Sequence, residues 1–128
     1  MLDLKLKYSS WIPFEGFYAI TLFGTVVRRW KYAGTKLYPD VQNHEGIHVL
    51  QANDLCKGVF GYILFYILYF LEWLIKAFIS IFTLFKIKAY MSISFEQEAY
   101  NNQKDLAYQD NRKRFAWVKY IFKFVWKN

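Results

Sequence analysis

"NHEGIHVLQ", residues 43–51, contains both histidines of the 128-residue chain, four positions apart, with Glu45 directly after the first. On a helix, positions i and i+4 lie on one face a turn apart, so His44 and His48 can turn two imidazole nitrogens towards one metal ion. Glu45 is rotated by about 100° from His44, which keeps it out of the ligand pair and within reach of a water held on the metal. The pattern suits a zinc site with His44 and His48 as ligands and Glu45 as general base, zinc lowering the water pKa from about 16 towards 7. The competing reading is an ordinary amphipathic helix that carries two histidines and a glutamate; Gly46, a poor helix former inside the motif, favours a non-enzymatic protein whose motif binds metal structurally or not at all.

The flanking sequence places this motif on a helix. Residues 33–40, AGTKLYPD, carry Gly34, Pro39 and Asp40, the punctuation of a loop, with Asp40 as the expected N-cap. The helix should then run to about Cys56. Upstream, residues 17–30 are rich in β-branched and aromatic side chains with Gly24 in the middle, so a strand pair or one bent strand is expected. Downstream, Gly58 and Gly61 mark a break before a long apolar helix over about 59–85, interrupted only by Glu72 and Lys76. Ser94 and Gln97 have capping-box spacing and predict a third helix from Phe95 to about Asp110. A basic, aromatic tail helix over about 111–127 completes a mostly α chain with a short β-strand element, an α+β fold in a single domain spanning 1–128.

A catalytic zinc usually has three protein ligands and an open position. No histidine remains, and Cys56, although in line with His48, lies eight residues or about 12 Å along the axis; it reads as a small buried apolar residue. Among the downstream acids, those in SFEQEAYNNQKDLAY, residues 94–108, stand near the start of a separate helix that could cross the first. Glu96 and Glu98 are about 200° apart on it, so only one can face the metal. Glu96 is the choice, because Ala99 and Tyr100 share its face and the alanine lets two helices approach closely; Glu98 and Glu72 remain alternatives. The cluster also reads as a solvated acidic helix start.

"HEGIH" followed by "FEQEAY" resembles the gluzincin arrangement, in which a glutamate of an ExxA-type helix is the third zinc ligand. Together with LFGTVVRR, LYFLEWLI and the run that begins SFEQEAYNNQK, the pair is similar to small HExxH proteins of gut Bacteroidetes and their phages, over about residues 11–120. The resemblance implies a zincin-like fold, with a long apolar helix between the HExxH and ExxA helices, and a Zn2+ metallopeptidase acting on a peptide or protein substrate. It implies His44, His48 and Glu96 as zinc ligands and Glu45 as catalytic base. Many helices of this type carry Asp or Asn four residues after the ligand to orient a histidine; here that position is Tyr100. Peptidases of this kind also stabilise an oxyanion with His, Tyr or Arg, a role open to Tyr100 or Tyr108, each of which otherwise reads as a packed aromatic. The strand segment 17–30 would offer an edge for an extended peptide, or else a structural hairpin over the helix.

Composition points towards a membrane. Seventeen Lys and Arg against ten Asp and Glu give a net charge of +7, which favours anionic surfaces, and the 23% aromatic content is typical of membrane-interface segments. Residues 63–81 contain 12 Leu, Ile and Phe, worth roughly −5 kcal/mol on an insertion scale, against roughly +5 to +7 for two central charges. Spanning helix, shallow hairpin and buried core helix therefore all stay open. In the tail, Arg112, Lys119, Lys123 and Lys127 align on one helical face opposite aromatic and aliphatic residues, which suits an anionic membrane surface. Nucleic acid is not an expected partner, since no recognised binding fold accompanies the basic residues. With no secretory signal and no disulfide, the expected place is the cytoplasmic face of an inner membrane. The competing function is a non-catalytic membrane- or virion-associated component whose motif binds metal structurally or not at all.

Overall fold

The computed structural model describes residues 4–9, 20–22, 25–29 and 38–127, over which the chain is mostly helical with a small sheet. Strand β1 (Lys5–Ser9), unexpected from sequence, pairs in parallel with β3 (Thr25–Arg29), and β2 (Ile20–Leu22) pairs antiparallel on the other side. The sheet order is β1-β3-β2. A strand pair within 17–30 is thus present, while Phe17, Gly24, Trp30 and Gly34 lie outside the described residues.

Helix α1 (Pro39–Leu55) begins at Pro39, not after Asp40. Proline suits this first position because its fixed φ is helical and its missing N–H would have had no partner. Asp40 is therefore not the N-cap; it lies in the first turn, where its charge meets the positive helix end and its Oδ1 accepts the Val41 N–H at 3.0 Å. Cys56 follows as the C-cap and is exposed, so the expectation of a buried residue fails. Helix α2 (Val59–Phe82) then crosses the end of α1. The crossing requires Gly61, where a Cβ would stand 1.8 Å from the Cys56 carbonyl oxygen and 2.7 Å from that of Ala52. By length and composition α2 is able to cross a membrane, and 17% of its most apolar 18-residue stretch is buried. It stops short of residue 85 because Leu84 and Phe85 turn left-handed, at φ 55° and 62°.

Helix α3 (Ser94–Asn102) is half the expected length, followed by the one-turn α4 (Tyr108–Asn111) and a 3-10 helix, Ala116–Tyr120. Asn43 explains the early end: its Nδ2 donates to the carbonyls of Asn102, Gln103 and Asp105, at 3.2, 2.9 and 2.9 Å. Nor does the capping box form. Ser94 donates both its backbone N–H and its hydroxyl to the Glu72 carboxylate, at 2.7 and 2.6 Å, so a side chain of α2 caps α3. The continuous tail helix is also absent. Phe115 is left-handed at φ 61°, Gln97 takes the carbonyls of Tyr120 and Lys123, and Lys88 and Lys127 bond across to Val125 and Lys86.

These elements close around Ala52, Phe65, Ile93, Phe95 and Trp117. Phe95 sits between Phe65 and Trp117, with ring centroids 4.6 Å from each, so one aromatic of α3 ties α2 to the tail.

Candidate metal centre

His44 and His48 are buried on α1, and the crossing of α3 over it sets Glu96 against both. Glu96 Oε1 lies 3.0 Å from His44 Nε2 and 3.1 Å from His48 Nε2, and the two Nε2 atoms are 3.2 Å apart. These three atoms form a near-equilateral triangle. A tetrahedral zinc about 2.0 to 2.1 Å from each ligand needs ligand atoms roughly 3.3 Å apart, so the group fits a cation without rearrangement. Ala99 is fully buried in the crossing, the small side chain that the close approach of α1 and α3 calls for.

Each histidine is fixed from behind. His44 donates its Nδ1–H to Gln103 Oε1 at 2.8 Å, and His48 donates its Nδ1–H to Gln51 Oε1 at 2.8 Å. With Nδ1 of each ring donating to a glutamine, both Nε2 atoms face the triangle, where a bound cation would take their lone pairs. The Gln51 amide is oriented in turn, since its Nε2 donates to Phe95 O and to Glu98 Oε1, both at 2.9 Å. Glu96 is held by Tyr69, which donates to Oε2 at 2.6 Å and leaves Oε1 for the cation. The buried His44, His48 and Glu96 group is thus able to bind a metal ion.

Electrostatics agree with the geometry. Burial disfavours a charged His48, but the Glu96 carboxylate, with Glu45 and Gln51, outweighs it and lifts the pKa to about 9. Burial likewise disfavours a charged Glu96, and His48 and His44 overcome it, drawing the carboxyl well below the usual carboxylate range. A proton on His48 Nε2 balances Glu96 where a cation is able to do so.

Glu45 is buried on α1, and its charge reaches both His48 and Tyr100. The Tyr100 ring meets His44 edge-on at 4.4 Å and its hydroxyl shares a hydrogen bond with Tyr90. The residue four after Glu96 therefore supports a histidine by ring contact. Tyr108 is not at the site, because its hydroxyl donates to Glu98 Oε2 at 2.7 Å. Neither alternative acid approaches the histidines. Glu72 caps α3 and pairs with Lys76 at 2.9 Å. Glu98 is fully buried with Arg112, whose guanidinium also pairs with Asp54 at 2.6 Å. Arg112 accordingly does not share a solvated face with the tail lysines.

Gly46 has a structural reason. A Cβ there would meet Gln109 Nε2 at 2.5 Å, and Gln109 donates to Asn43 Oδ1 at 2.8 Å. The glycine makes room for the segment that holds Asn43. Nothing in the local spacing singles out Asn43, Gln103 or Tyr69, and Gln51 carries only the signal of standing at i+3 from His48. Among the described residues β2 is an edge strand, and it packs against α1.

Comparison with protein families, curated proteins and solved structures finds no match for this chain.

Proposed function

We propose that this protein is a zinc-dependent metallopeptidase working at a membrane surface, with His44, His48 and Glu96 as the metal ligands. The single observation that carries the reading is the triangle of His44 Nε2, His48 Nε2 and Glu96 Oε1, with both Nδ1 atoms anchored to glutamine side chains. Three protein ligands with a further position open is the catalytic pattern, whereas structural zinc sites are closed by four.

Zinc bound there would supply Lewis-acid polarisation of the scissile carbonyl and a lowered pKa for the attacking water. Glu45, next to His44 in the chain, would take a proton from the attacking water and deliver it to the leaving amine. Gln51 and Gln103 keep the histidines in the liganding tautomer, and Tyr69 keeps Glu96 turned inward. Tyr100, against His44 and 38% exposed, is the candidate partner for the developing oxyanion. The β2 edge beside α1 gives an extended peptide a strand to pair with.

Attachment to an anionic membrane, on the cytoplasmic face, is supported by the exposed apolar surface of α2 and the net charge of +7. A non-catalytic metal protein is the second reading. Gly46 favours it less, because the glycine leaves room for the Gln109 side chain on Asn43.

The test is zinc content and peptide cleavage by the native protein and Glu45→Gln. The variant should keep its metal and lose turnover by about 10²- to 10⁴-fold. Zinc without cleavage in the native protein would leave the second reading.

A further inference from the structure

We propose that α2 lies in the plane of the bilayer, seated in one anionic leaflet, instead of crossing it. The proposal deepens the membrane reading above and is independent of the peptidase reading.

At about 100° per residue, the exposed residues of α2 occupy an arc of about 220°, and every one of them is apolar. Phe60, Ile67, Leu74 and Ile81 mark its middle, at 73%, 50%, 43% and 54% exposure. Tyr62, Tyr69, Glu72, Lys76 and Ser80 all fall in the remaining arc, which faces the rest of the protein. A helix docked on one partner buries a stripe of about 100°. A second copy or another protein helix would leave more than half of this surface in water, while lipid covers it continuously.

The same helix argues against spanning. The remainder of the chain is attached along nearly all of α2, from Gly61 under Cys56, through Tyr69 on Glu96, Glu72 on Ser94 and Lys76 on the Ser92 carbonyl, to Ser80 on the Ile87 carbonyl. From 61 to 80 this is about 28 Å at 1.5 Å per residue, against a hydrocarbon thickness of about 30 Å. No bare length of α2 is left to cross while the body stays in water. Spanning would carry that body into hydrocarbon together with the exposed charges of Lys104, Asp105, Asp110, Lys113, Lys119 and Lys123, which lipid does not tolerate.

Lying flat, α2 sinks its apolar arc into one leaflet and keeps those charges in the head-group layer or water. Exposed Lys57 before the helix and Lys86 and Lys88 after it then meet anionic head groups at both ends.

Full-length protein carrying Cys56→Ser and one of Phe60→Cys, Ile67→Cys, Leu74→Cys or Ile81→Cys, spin-labelled at that cysteine, tests this on vesicles of phosphatidylethanolamine and phosphatidylglycerol. The readout is depth, from collision with oxygen against a water-soluble nickel chelate. A flat helix places all four labels at depths equal to within about 5 Å, one helix radius. Deep labels at 67 and 74 with shallow ones at 60 and 81 would mean a crossing helix and overturn the proposal. Failure of all four variants and the native chain to float with the vesicles overturns it together with the membrane reading. The depth profile needs no catalysis, so a flat-lying protein that cleaves nothing sinks only the peptidase.

Discussion

Gln51 Oε1 accepts the His48 Nδ1–H at 2.8 Å, while the amide nitrogen of the same side chain donates to Glu98 Oε1 at 2.9 Å. A carboxylate that never approaches the metal triangle thereby sets the orientation of a ligand. Gln51→Met preserves length and removes both bonds. It should weaken zinc binding by about 10- to 100-fold, read by competition with a chromogenic chelator. Unchanged affinity would show that the His48 ring is held by packing alone.

Glu96→Ala should remove a ligand outright and lower zinc occupancy more than Glu98→Ala, which only loosens Gln51. Metal analysis of the two purified variants checks the ranking, and the reverse order would move the third ligand.

Zinc bound by this group would have to displace the proton that His48 carries. The His48 pKa of about 9 is raised from an ordinary 6.5, so the charged ring stabilises the fold fully below about pH 6.5. That stabilisation is lost as pH rises towards 9. Zinc binding runs the other way, tightening about tenfold per pH unit across this window and releasing close to one proton at pH 7. Titration calorimetry in buffers of different ionisation enthalpy measures the proton, and no release would show that His48 is neutral before binding.

Arg112 is a structural cation: its guanidinium pairs at 2.6 Å with both Asp54 and Glu98, with 4% of its side chain exposed. Arg112→Met leaves two buried carboxylates without their partner and should cost about 3–5 kcal/mol. Lys119→Met, on the exposed surface, should stay within about 0.5 kcal/mol. Urea midpoints of the pair provide the comparison, and equal midpoints would count against the buried network.

Phe65 of α2 packs on the His48 ring at 5.8 Å, so the His44, His48 and Glu96 group stands one helix away from the exposed apolar face of α2. A peptide tethered to vesicle lipid should be cleaved at least about 10²-fold faster than the same peptide free in solution, because tethering raises its local concentration. Detergent should abolish the difference; equal rates on intact vesicles would argue against a membrane-bound substrate.

Local spacing determined a good deal of this protein. His44, Glu45 and His48 are legible because a helix converts i and i+4 into one face, and the apolar run at 59–85 is legible because its length exceeds what a small core buries. Glu96 is legible from the small face around Ala99, and the crossing of α1 and α3 places its carboxylate beside both imidazoles. What fails are the boundaries set by distant side chains. Asn43 ends α3 from 59 residues away, Glu72 replaces the Ser94 capping box, and Gln97 and Lys76 take the carbonyls that a tail helix would have used. Those bonds join residues far apart in the chain, and no periodicity announces them. Tertiary structure also decided which way α2 faces, since Glu72 and Lys76 look like two costly membrane charges until they are seen turned inward onto α3 and the tail. One-dimensional pattern encodes which helix face a side chain occupies; only the packed chain decides what that face meets.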